Sequence, residues 1–431
     1  MDKPGLPPLG RDPSFLGMTA TQFLGAFNDN LYKQLLLLIA LDYKRLNNWE
    51  SDPYQALATF LFALPFVLLS GLGGYLSDKI QKRKVIIFCK VLEVLVMAAA
   101  MVAFMTGAIG SPALMIALLI VLVFLASQSA LFGPSKYGVL PEMLRESDLP
   151  RANGIIQMTT FLAVIFGTAI CGLLKQVFPE HLWVISGICI LIAIAGTLFS
   201  LLVRRTPVAN PGMKLTVDCL VVEKSTLRWI RQDRVLVQTL LVYAVFWFSG
   251  AVMMQAINVV AKDQLGFSDA RTGVAQAFIG TGIALGCVVC GRWSRNRVRF
   301  DLVRRGGWGL LVSTALVSLV CVAPLGNETV RFGLMCLSLA SVGFSAGVFA
   351  VPPQVFIQAR PPASRKGRVI GAMNLFTWIG ILLAAVWYYL LSLLLGMLGW
   401  ADSWIFLSIG GLFLATIVLF RQPNPPPHGT D

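Results

Sequence analysis

The stretch Gly74-Tyr75-Leu76-Ser77-Asp78-Lys79-Ile80-Gln81-Lys82-Arg83-Lys84 joins two long apolar runs, at 54–77 and 85–107. Each run is long enough for a membrane-spanning helix, which takes about 20 predominantly apolar residues. The run 54–77 shows no alternation of apolar and polar residues, so it does not fit a strand of a membrane barrel. The stretch is therefore a short basic loop between two predicted transmembrane helices.

The same pattern extends over the whole chain. Its 431 residues are 56% hydrophobic and 13% charged, which argues against a water-soluble globular protein. Ten further apolar runs lie near 15–41, 112–134, 152–178, 182–203, 235–262, 270–291, 302–324, 332–356, 369–397 and 403–420. The sequence therefore predicts an all-α membrane protein with twelve transmembrane helices.

A polar segment divides the twelve runs into two sets of six. We predict an N-terminal six-helix bundle at 15–203, a partly helical linker at 204–234 and a C-terminal six-helix bundle at 235–420. The two halves have nearly equal length, as expected of a transporter built from two parallel repeats. Residues 1–14 form a short N-terminal segment, and the proline-rich residues 421–431 are expected to be a disordered tail.

The basic residues indicate the orientation in the membrane. The net charge is +14, from 35 Lys and Arg against 21 Asp and Glu. Most of the basic residues fall on one side if the N-terminus is inside, chiefly in the segments 79–84, 204–234, 292–305 and 360–368. Since cytoplasmic loops carry such an excess, both termini and the linker are predicted to be cytoplasmic. This role explains the positive charge without a nucleic-acid partner.

The chain lacks the residues that several kinds of chemistry require. His181 and His428 lie in a predicted loop and in the tail, which leaves the spans without a histidine for acid–base catalysis. The pair Cys287-x-x-Cys290 has no second Cys or His pair, so neither a zinc site nor a disulfide framework is indicated. No ATP-binding or dinucleotide motif is present. We expect no enzyme activity, no cofactor and no metal.

The basic loop resembles the signature loop of the major facilitator superfamily, in which a Gly and an Asp precede a basic run. The resemblance implies two six-helix bundles around a central path. Gly74 would let helices approach closely, and Asp78 would pair with basic residues such as Lys79 and Arg83 or cap a neighbouring helix, forming a cytoplasmic gate. The alternative is that the basic run only fixes the topology. Arg295 stands where a second-half Asp would align, so we expect an asymmetric gate.

Three further stretches of sequence indicate one particular family within this superfamily. They are Gln22-Phe23-Leu24-Gly25-Ala26-Phe27-Asn28-Asp29-Asn30-Leu31, Phe132-Gly133-Pro134-Ser135-Lys136-Tyr137-Gly138-Val139-Leu140-Pro141-Glu142 and Gly347-Val348-Phe349-Ala350-Val351-Pro352-Pro353. Together they are similar to the bacterial lysophospholipid transporters. The resemblance implies a monomer in the inner membrane that moves lysolipids, chiefly lysophosphatidylethanolamine, from the outer to the inner leaflet. It also implies a cytoplasmic acyltransferase or acyl-ACP synthetase that reacylates them.

The charged residues of the first span suit such a cargo. Asp29 and Lys33 lie four residues apart on one helix face, and ionisable groups inside a membrane normally face a cavity or a partner. We expect Asp29 to bind the ammonium of the headgroup, and Lys33 or Lys136 to bind its phosphate. Uncharged hydrogen bonds are expected from Asn28, Asn30, Gln255 and Asn258. Alternatively, Asp29 and Lys33 neutralise each other, or the lysines reach to the interface.

Two features are less typical of the family. The family commonly has an Arg in the seventh span, whereas residues 247–260 contain only Gln255 and Asn258 as polar candidates, so either headgroup preference or the manner in which charge is balanced is expected to differ. Lys90 and Glu93, three residues apart, are expected to form a local pair near the cytoplasmic interface.

A lysolipid also carries one acyl chain, which should remain in apolar surroundings while the headgroup crosses. The expected lining of that path is Phe23, Phe27, Phe246, Met253 and Met254. The main alternative function is transport of another amphiphile, a drug or a small solute; a solute permease would have a small, sealed, polar central site.

Overall fold

The computed structural model describes residues 6–46, 53–107, 110–215, 219, 222–294 and 297–424. Within these residues twelve long helices and one short helix are present. They are α1 (Pro13–Leu46), α2 (Pro53–Lys79), α3 (Lys82–Thr106), α4 (Pro112–Met143), α5 (Leu149–Val177), α6 (Leu182–Ser200), α7 (Lys224–Gln232), α8 (Arg234–Val259), α9 (Asp269–Trp293), α10 (Phe300–Val322), α11 (Glu328–Ala359), α12 (Lys366–Leu398) and α13 (Trp404–Leu419). Ten of the long helices are long and apolar enough to cross a membrane.

Local signals set where several helices begin and end. Ser111 caps α4, because its hydroxyl accepts a hydrogen bond from Leu114 N at 3.2 Å. Asp233 caps α8 in the same way, and Asn327 caps α11. At Gly399 the backbone takes a φ of 66°, a left-handed conformation that favours glycine and ends α12. Inside a membrane such caps matter because lipid offers no hydrogen bonds to helix ends.

The long helices form two bundles of six, which confirms the predicted fold class. In the N-terminal bundle α1 packs against α5 and α6, and α3 against α4 and α6. In the C-terminal bundle α11 packs against α9 and α10, and α8 against α12. The bundles meet chiefly where α2 lies along α12 and where α5 lies along α9. The space between these two seams is the central region of the molecule.

One end of the molecule, here called the basic face, carries the connections whose described residues are 80–81, 144–148, 201–215, 222–233, 297–299 and 360–365. The linker is tied to this face by Arg204, whose guanidinium donates to both oxygens of Asp12 at 2.6 Å. Its short helix α7 buries Thr226 and Ile230. Residues 1–5, 216–218, 220–221, Arg295 and the tail residues 425–431 lie outside the described residues, so the predictions made for them are not addressed.

Candidate functional site

A cavity of about 200 Å³ lies between the bundles, here called the polar cavity. Its charged lining residues in the described chain come from the N-terminal bundle: Asp29 on α1, Lys90 and Glu93 on α3, and Lys136 on α4. The remaining lining residues are Gln22, Gly25, Ala26, Phe66, Gln128, Ser129, Phe132, Gly133, Tyr137, Thr160, Tyr243, Trp247, Met373, Asn374, Thr377, Trp378 and Ile381. Two lysines face two carboxylates, so the formal charges of the lining sum to zero.

Asp29 is the least satisfied of these groups. Its Oδ2 accepts a hydrogen bond from the Ser129 hydroxyl at 2.6 Å. Its Oδ1 is buried and has no hydrogen-bond partner among the described residues. An unsatisfied buried acceptor costs about 1–3 kcal/mol, which a cationic or hydrogen-bonding ligand would recover.

Lys90 and Glu93 form the predicted ion pair, and each is 1% exposed. The second oxygen of Glu93 accepts a hydrogen bond from Asn28 Nδ2 at 2.8 Å. α3 begins at Lys82, so Lys90 lies about two helical turns from that end of the helix, where it lines the polar cavity. Asn28, predicted to contact cargo, is itself fully buried and instead holds Glu93 in place.

Lys136 lies deeper than the apolar run suggested. That run ends near residue 134, but α4 continues through Pro134 and Pro141 to Met143. Membrane helices tolerate such prolines because neighbouring groups satisfy the freed backbone. Lys136 is therefore about two turns from the end of its helix, 8% exposed, with Nζ 4.8 Å from the centroid of the Tyr137 ring.

Besides Asn28, four residues predicted to contact the headgroup lie outside the lining of the polar cavity. Lys33 places its Nζ 4.8 Å from the centroid of a phenylalanine ring of α2. Asn30 and Gln255 donate to backbone carbonyls of their own helices, at 2.7 and 3.4 Å. Asn258 accepts a hydrogen bond at 2.6 Å from a side-chain amide of α9.

A second cavity of about 280 Å³, here called the apolar cavity, adjoins the first. The three predicted lining residues of α8, Phe246, Met253 and Met254, all line it. The other lining residues are Thr160, Phe161, Val164, Trp247, Ser249, Gly250, Ala251, Ile279, Ile283, Leu310, Val342, Ala346, Ile381, Ile409 and Phe413. Phe23 and Phe27 lie outside both linings, with ring centroids 6.3 Å apart.

The two cavities share part of their walls. Thr160, Trp247 and Ile381 line both of them. A charged, formally neutral compartment thus lies directly beside a compartment that is apolar almost throughout. This arrangement suits a ligand with a zwitterionic end and a hydrocarbon end, since each end meets matching chemistry.

Asp78 joins the bundles on the basic face. It is fully buried, and its Oδ1 accepts a hydrogen bond from Gly367 N at 2.7 Å. Its Oδ2 accepts from Arg368 N at 3.2 Å and from Arg368 Nε at 3.1 Å. A carboxylate of the N-terminal bundle thereby caps α12 of the C-terminal bundle. We call these contacts the latch.

Small residues make the latch possible. A Cβ added at Gly74 would lie 2.8 Å from the Gly367 carbonyl oxygen. Lys79 and Arg83, the other predicted gate residues, do not contact Asp78. They donate instead to linker-side carbonyls, of Met213 and Leu201 respectively. The basic run therefore holds the linker, while Gly74 and Asp78 make the contact between bundles.

The linker reaches the latch through Glu223. Its Oε2 accepts a hydrogen bond from Arg368 Nη1 at 2.5 Å. Burial raises the pKa of Glu223, but hydrogen bonds from Ser225 and Arg368 outweigh this effect and hold the pKa below its usual range. No charge pattern in the sequence pairs Glu223 with residue 368, which lies 145 positions away.

A second cross-bundle contact lies at the other seam. The side-chain amides of Asn153 on α5 and Gln358 on α11 exchange two hydrogen bonds of 2.9 Å, and both residues are fully buried. Deeper in, Gln157 donates to the Tyr243 hydroxyl at 3.3 Å. Gly154 faces α9 so closely that an added Cβ would lie 2.6 Å from a carbonyl oxygen. Hydrogen bonds therefore tie the bundles together on both seams.

No group of three or more His, Cys, Asp or Glu within the described ranges is arranged to hold a metal ion. The eight cysteines are all buried.

Comparison with known proteins gives the following similarities. The family model described as Major Facilitator Superfamily matches residues 18–385. The Lysophospholipid transporter LplT of Enterobacter sp. (strain 638) is 25% identical over 365 residues, covering 84% of each chain. That of Pectobacterium carotovorum subsp. carotovorum (strain PC1) is 27% identical over 380 residues, covering 86% of this chain and 84% of the relative.

Solved structures share the architecture. The human organic anion transporter MFSD10 (TETRAN) aligns with a TM-score of 0.73 at 16% identity, covering 94% of this chain and 99% of that one. The transporter FucP, solved in the outward conformation, aligns with a TM-score of 0.69 at 15% identity, covering 94% and 97%.

Proposed function

The chain belongs to the major facilitator superfamily, and from that premise we propose that it is a lysophospholipid transporter. Its cargo would be lysophosphatidylethanolamine and related lysolipids, moved from the outer to the inner leaflet of a bacterial inner membrane. The single observation that carries the proposal is the junction of a neutral, charged cavity with an apolar one. The similarity to the LplT proteins supports the same cargo.

The charges suggest how the headgroup binds. Lys90 and Glu93 already neutralise each other, with Asn28 completing the hydrogen bonds of Glu93. Asp29 and Lys136 remain, one with an oxygen that lacks a partner. In our proposal Asp29 accepts hydrogen bonds from the cargo ammonium and Lys136 contacts the phosphate, so that a zwitterion leaves the cavity neutral.

The acyl chain would occupy the apolar cavity. Moving a chain out of lipid into water costs about 0.8 kcal/mol per methylene, so a long chain cannot cross through an aqueous space. An apolar compartment beside the headgroup compartment removes that cost, because the chain exchanges one apolar environment for another. The headgroup contacts therefore supply most of the binding free energy, and the acyl chain adds little to it.

Access would alternate through the latch. We infer that the basic face is cytoplasmic, since the positively charged loops lie on it, and that the latch contacts close the cytoplasmic side. Their release would open a path to the inner leaflet, where an acyltransferase or acyl-ACP synthetase would consume the lysolipid. We propose that one chain suffices, because both cavities lie between the bundles of a single chain.

Transport of two lysolipids by the Asp29→Asn variant tests the proposal. Labelled lysophosphatidylethanolamine and lysophosphatidylglycerol would be offered to spheroplasts with and without an ionophore. We expect wild-type protein to take up both, and Asp29→Asn to lose about tenfold or more for the ethanolamine lipid, since a charge-assisted contact becomes a neutral one. Lysophosphatidylglycerol, which lacks the ammonium, should lose less.

Uptake of neither lysolipid by wild-type protein would exclude this cargo and favour another amphiphile or a small solute. Equal loss for both lysolipids in Asp29→Asn would assign Asp29 a structural or coupling role instead.

A further inference from the structure

The boundary between the two cavities is built from aromatic side chains. The Trp247 indole lines both cavities and stacks on the Phe161 ring, with centroids 6.1 Å apart and planes at 20°. Phe161 lies on α5 of the N-terminal bundle and Trp247 on α8 of the C-terminal bundle. The stacked pair therefore crosses from one bundle to the other at the point where the polar and apolar compartments meet.

The indole is held in place from several sides. The Phe246 ring meets it edge-on at 5.4 Å, and the Tyr243 ring does so at 6.5 Å. Tyr243 is in turn bound by Gln157 of α5. A side chain packed against three rings has little freedom to move aside, so the width of the boundary is set by the position of Trp247.

On the basis of the proposed function, we propose that the Phe161–Trp247 pair selects cargo by the number of acyl chains, admitting a lipid with one chain and excluding a lipid with two. A lipid whose headgroup lies in the polar cavity places its glycerol at this boundary. Each acyl chain that passes from the polar cavity into the apolar cavity needs a boundary wider by one carbon–carbon contact distance, about 4 Å. An aromatic ring also occupies about one contact spacing, so removing one ring opens the space that a second chain needs.

The selection is steric because hydrophobicity cannot provide it. Both kinds of lipid leave the same bilayer, so a second chain gains and loses equal apolar contact on entering an apolar cavity. The headgroups are identical, so Asp29 and Lys136 cannot distinguish them either. Discrimination must therefore occur where the chains pass from one compartment to the other.

The experiment reconstitutes the full chain in liposomes that contain a trace of palmitoyl lysophosphatidylethanolamine or dipalmitoyl phosphatidylethanolamine. An amine reagent that does not cross the bilayer reports the amount of either lipid in the outer leaflet over time. Wild-type protein should move the one-chain lipid and not the two-chain lipid. Trp247→Ala should keep moving the one-chain lipid and reduce the preference at least tenfold, while Trp247→Phe should retain most of it.

Phe248→Ala is the matched control, because Phe248 is the next residue on α8 and packs against Trp387, outside both cavities. It should leave the preference unchanged. Phe161→Ala opens the boundary from the other bundle and must reproduce the effect if Trp247→Ala fails to fold. An unchanged preference in Trp247→Ala or Phe161→Ala, or an equal change in Phe248→Ala, would refute selection by the Phe161–Trp247 pair and leave the proposed function standing. Wild-type protein that moves neither lipid would refute both the proposed function and the selection by this pair.

Discussion

Replacing Asp78 by Asn should shift the protein toward a state that is open on the basic face. Asp78 accepts three hydrogen bonds from the C-terminal bundle, two from the backbone of α12 and one from the Arg368 side chain. Asn is itself a good helix cap, so one backbone hydrogen bond can survive. The variant loses the negative charge beside the helix end and at least one charge-assisted hydrogen bond.

The size of the shift follows from these losses. A hydrogen bond to a charged group contributes about 1.5–3 kcal/mol, and a charge at a helix end typically about 0.3–1 kcal/mol. Part of this free energy is recovered when the latch opens, because the separated groups then form hydrogen bonds with water. We therefore expect Asp78→Asn to destabilise the closed state by about 2–3 kcal/mol. At about 1.4 kcal/mol per tenfold, the ratio of open to closed protein rises about 30- to 150-fold.

A cysteine at position 77 can measure this ratio. Ser77 is fully buried and its Cβ would lie 2.8 Å from a Cβ added at Gly367, so the latch must part before a thiol reagent reaches it. The native cysteines are all buried, which keeps background labelling slow. The rate of labelling of Ser77→Cys should follow the open fraction and rise in Asp78→Asn by the factor given above.

Asp12→Asn provides the matched control. Asp12 is also buried on the basic face and also binds an arginine, but its partner Arg204 belongs to the linker rather than to the C-terminal bundle. It should leave labelling at position 77 unchanged. Equal labelling in Asp78→Asn and wild type, or an equal increase in Asp12→Asn, would refute the assignment of Asp78 to the latch.

Three further predictions concern other contacts. Glu93→Leu should lower the unfolding free energy by about 3 kcal/mol because it leaves Lys90 buried and unpaired, and adding Lys90→Met should recover most of that loss in a thermal unfolding assay. Gly154→Val should hinder closure and raise labelling at position 77, whereas Gly172→Val, whose added Cβ meets nothing within 4 Å, should not. Because the pKa of Glu223 is held low in the closed state, its contribution is present at neutral pH and is lost as the pH falls below about 4. This loss should raise labelling at position 77 in acid, and Glu223→Gln should remove the part of the increase that Glu223 contributes.

The fold was predictable because its signals are local. Helix length and the absence of alternation can each be read within a few tens of residues, and lipid permits few other structures. Asp78 was found for the same reason, since it lies inside one short loop. Its partner Arg368 was not, because the two are 290 residues apart and a basic cluster looks alike whether it anchors a loop or binds a carboxylate.

The depth and rotation of a helix were harder to predict. The spacing of Lys90 and Glu93 shows that they pair but gives no depth, and the depth decides whether the pair lies at an interface or in a cavity. For Lys136 the apolar run ends near residue 134, before α4 does, so hydropathy does not decide between a headgroup contact and an interfacial anchor. Gln255 and Asn258 share α8 with Met253 and Met254, yet only the two methionines line the apolar cavity, because rotation is set by packing against neighbouring helices.

The latch and the cavities together constrain how transport can proceed. The charged residues of the polar cavity all belong to the N-terminal bundle, whereas most of the apolar cavity belongs to the C-terminal bundle. If the bundles rotate against each other when the latch opens, the headgroup site moves with one bundle and the chain site with the other. The boundary at Trp247 is then the place where the two motions meet. A rigid link that fixed the two bundles there should stop transport while leaving headgroup binding intact.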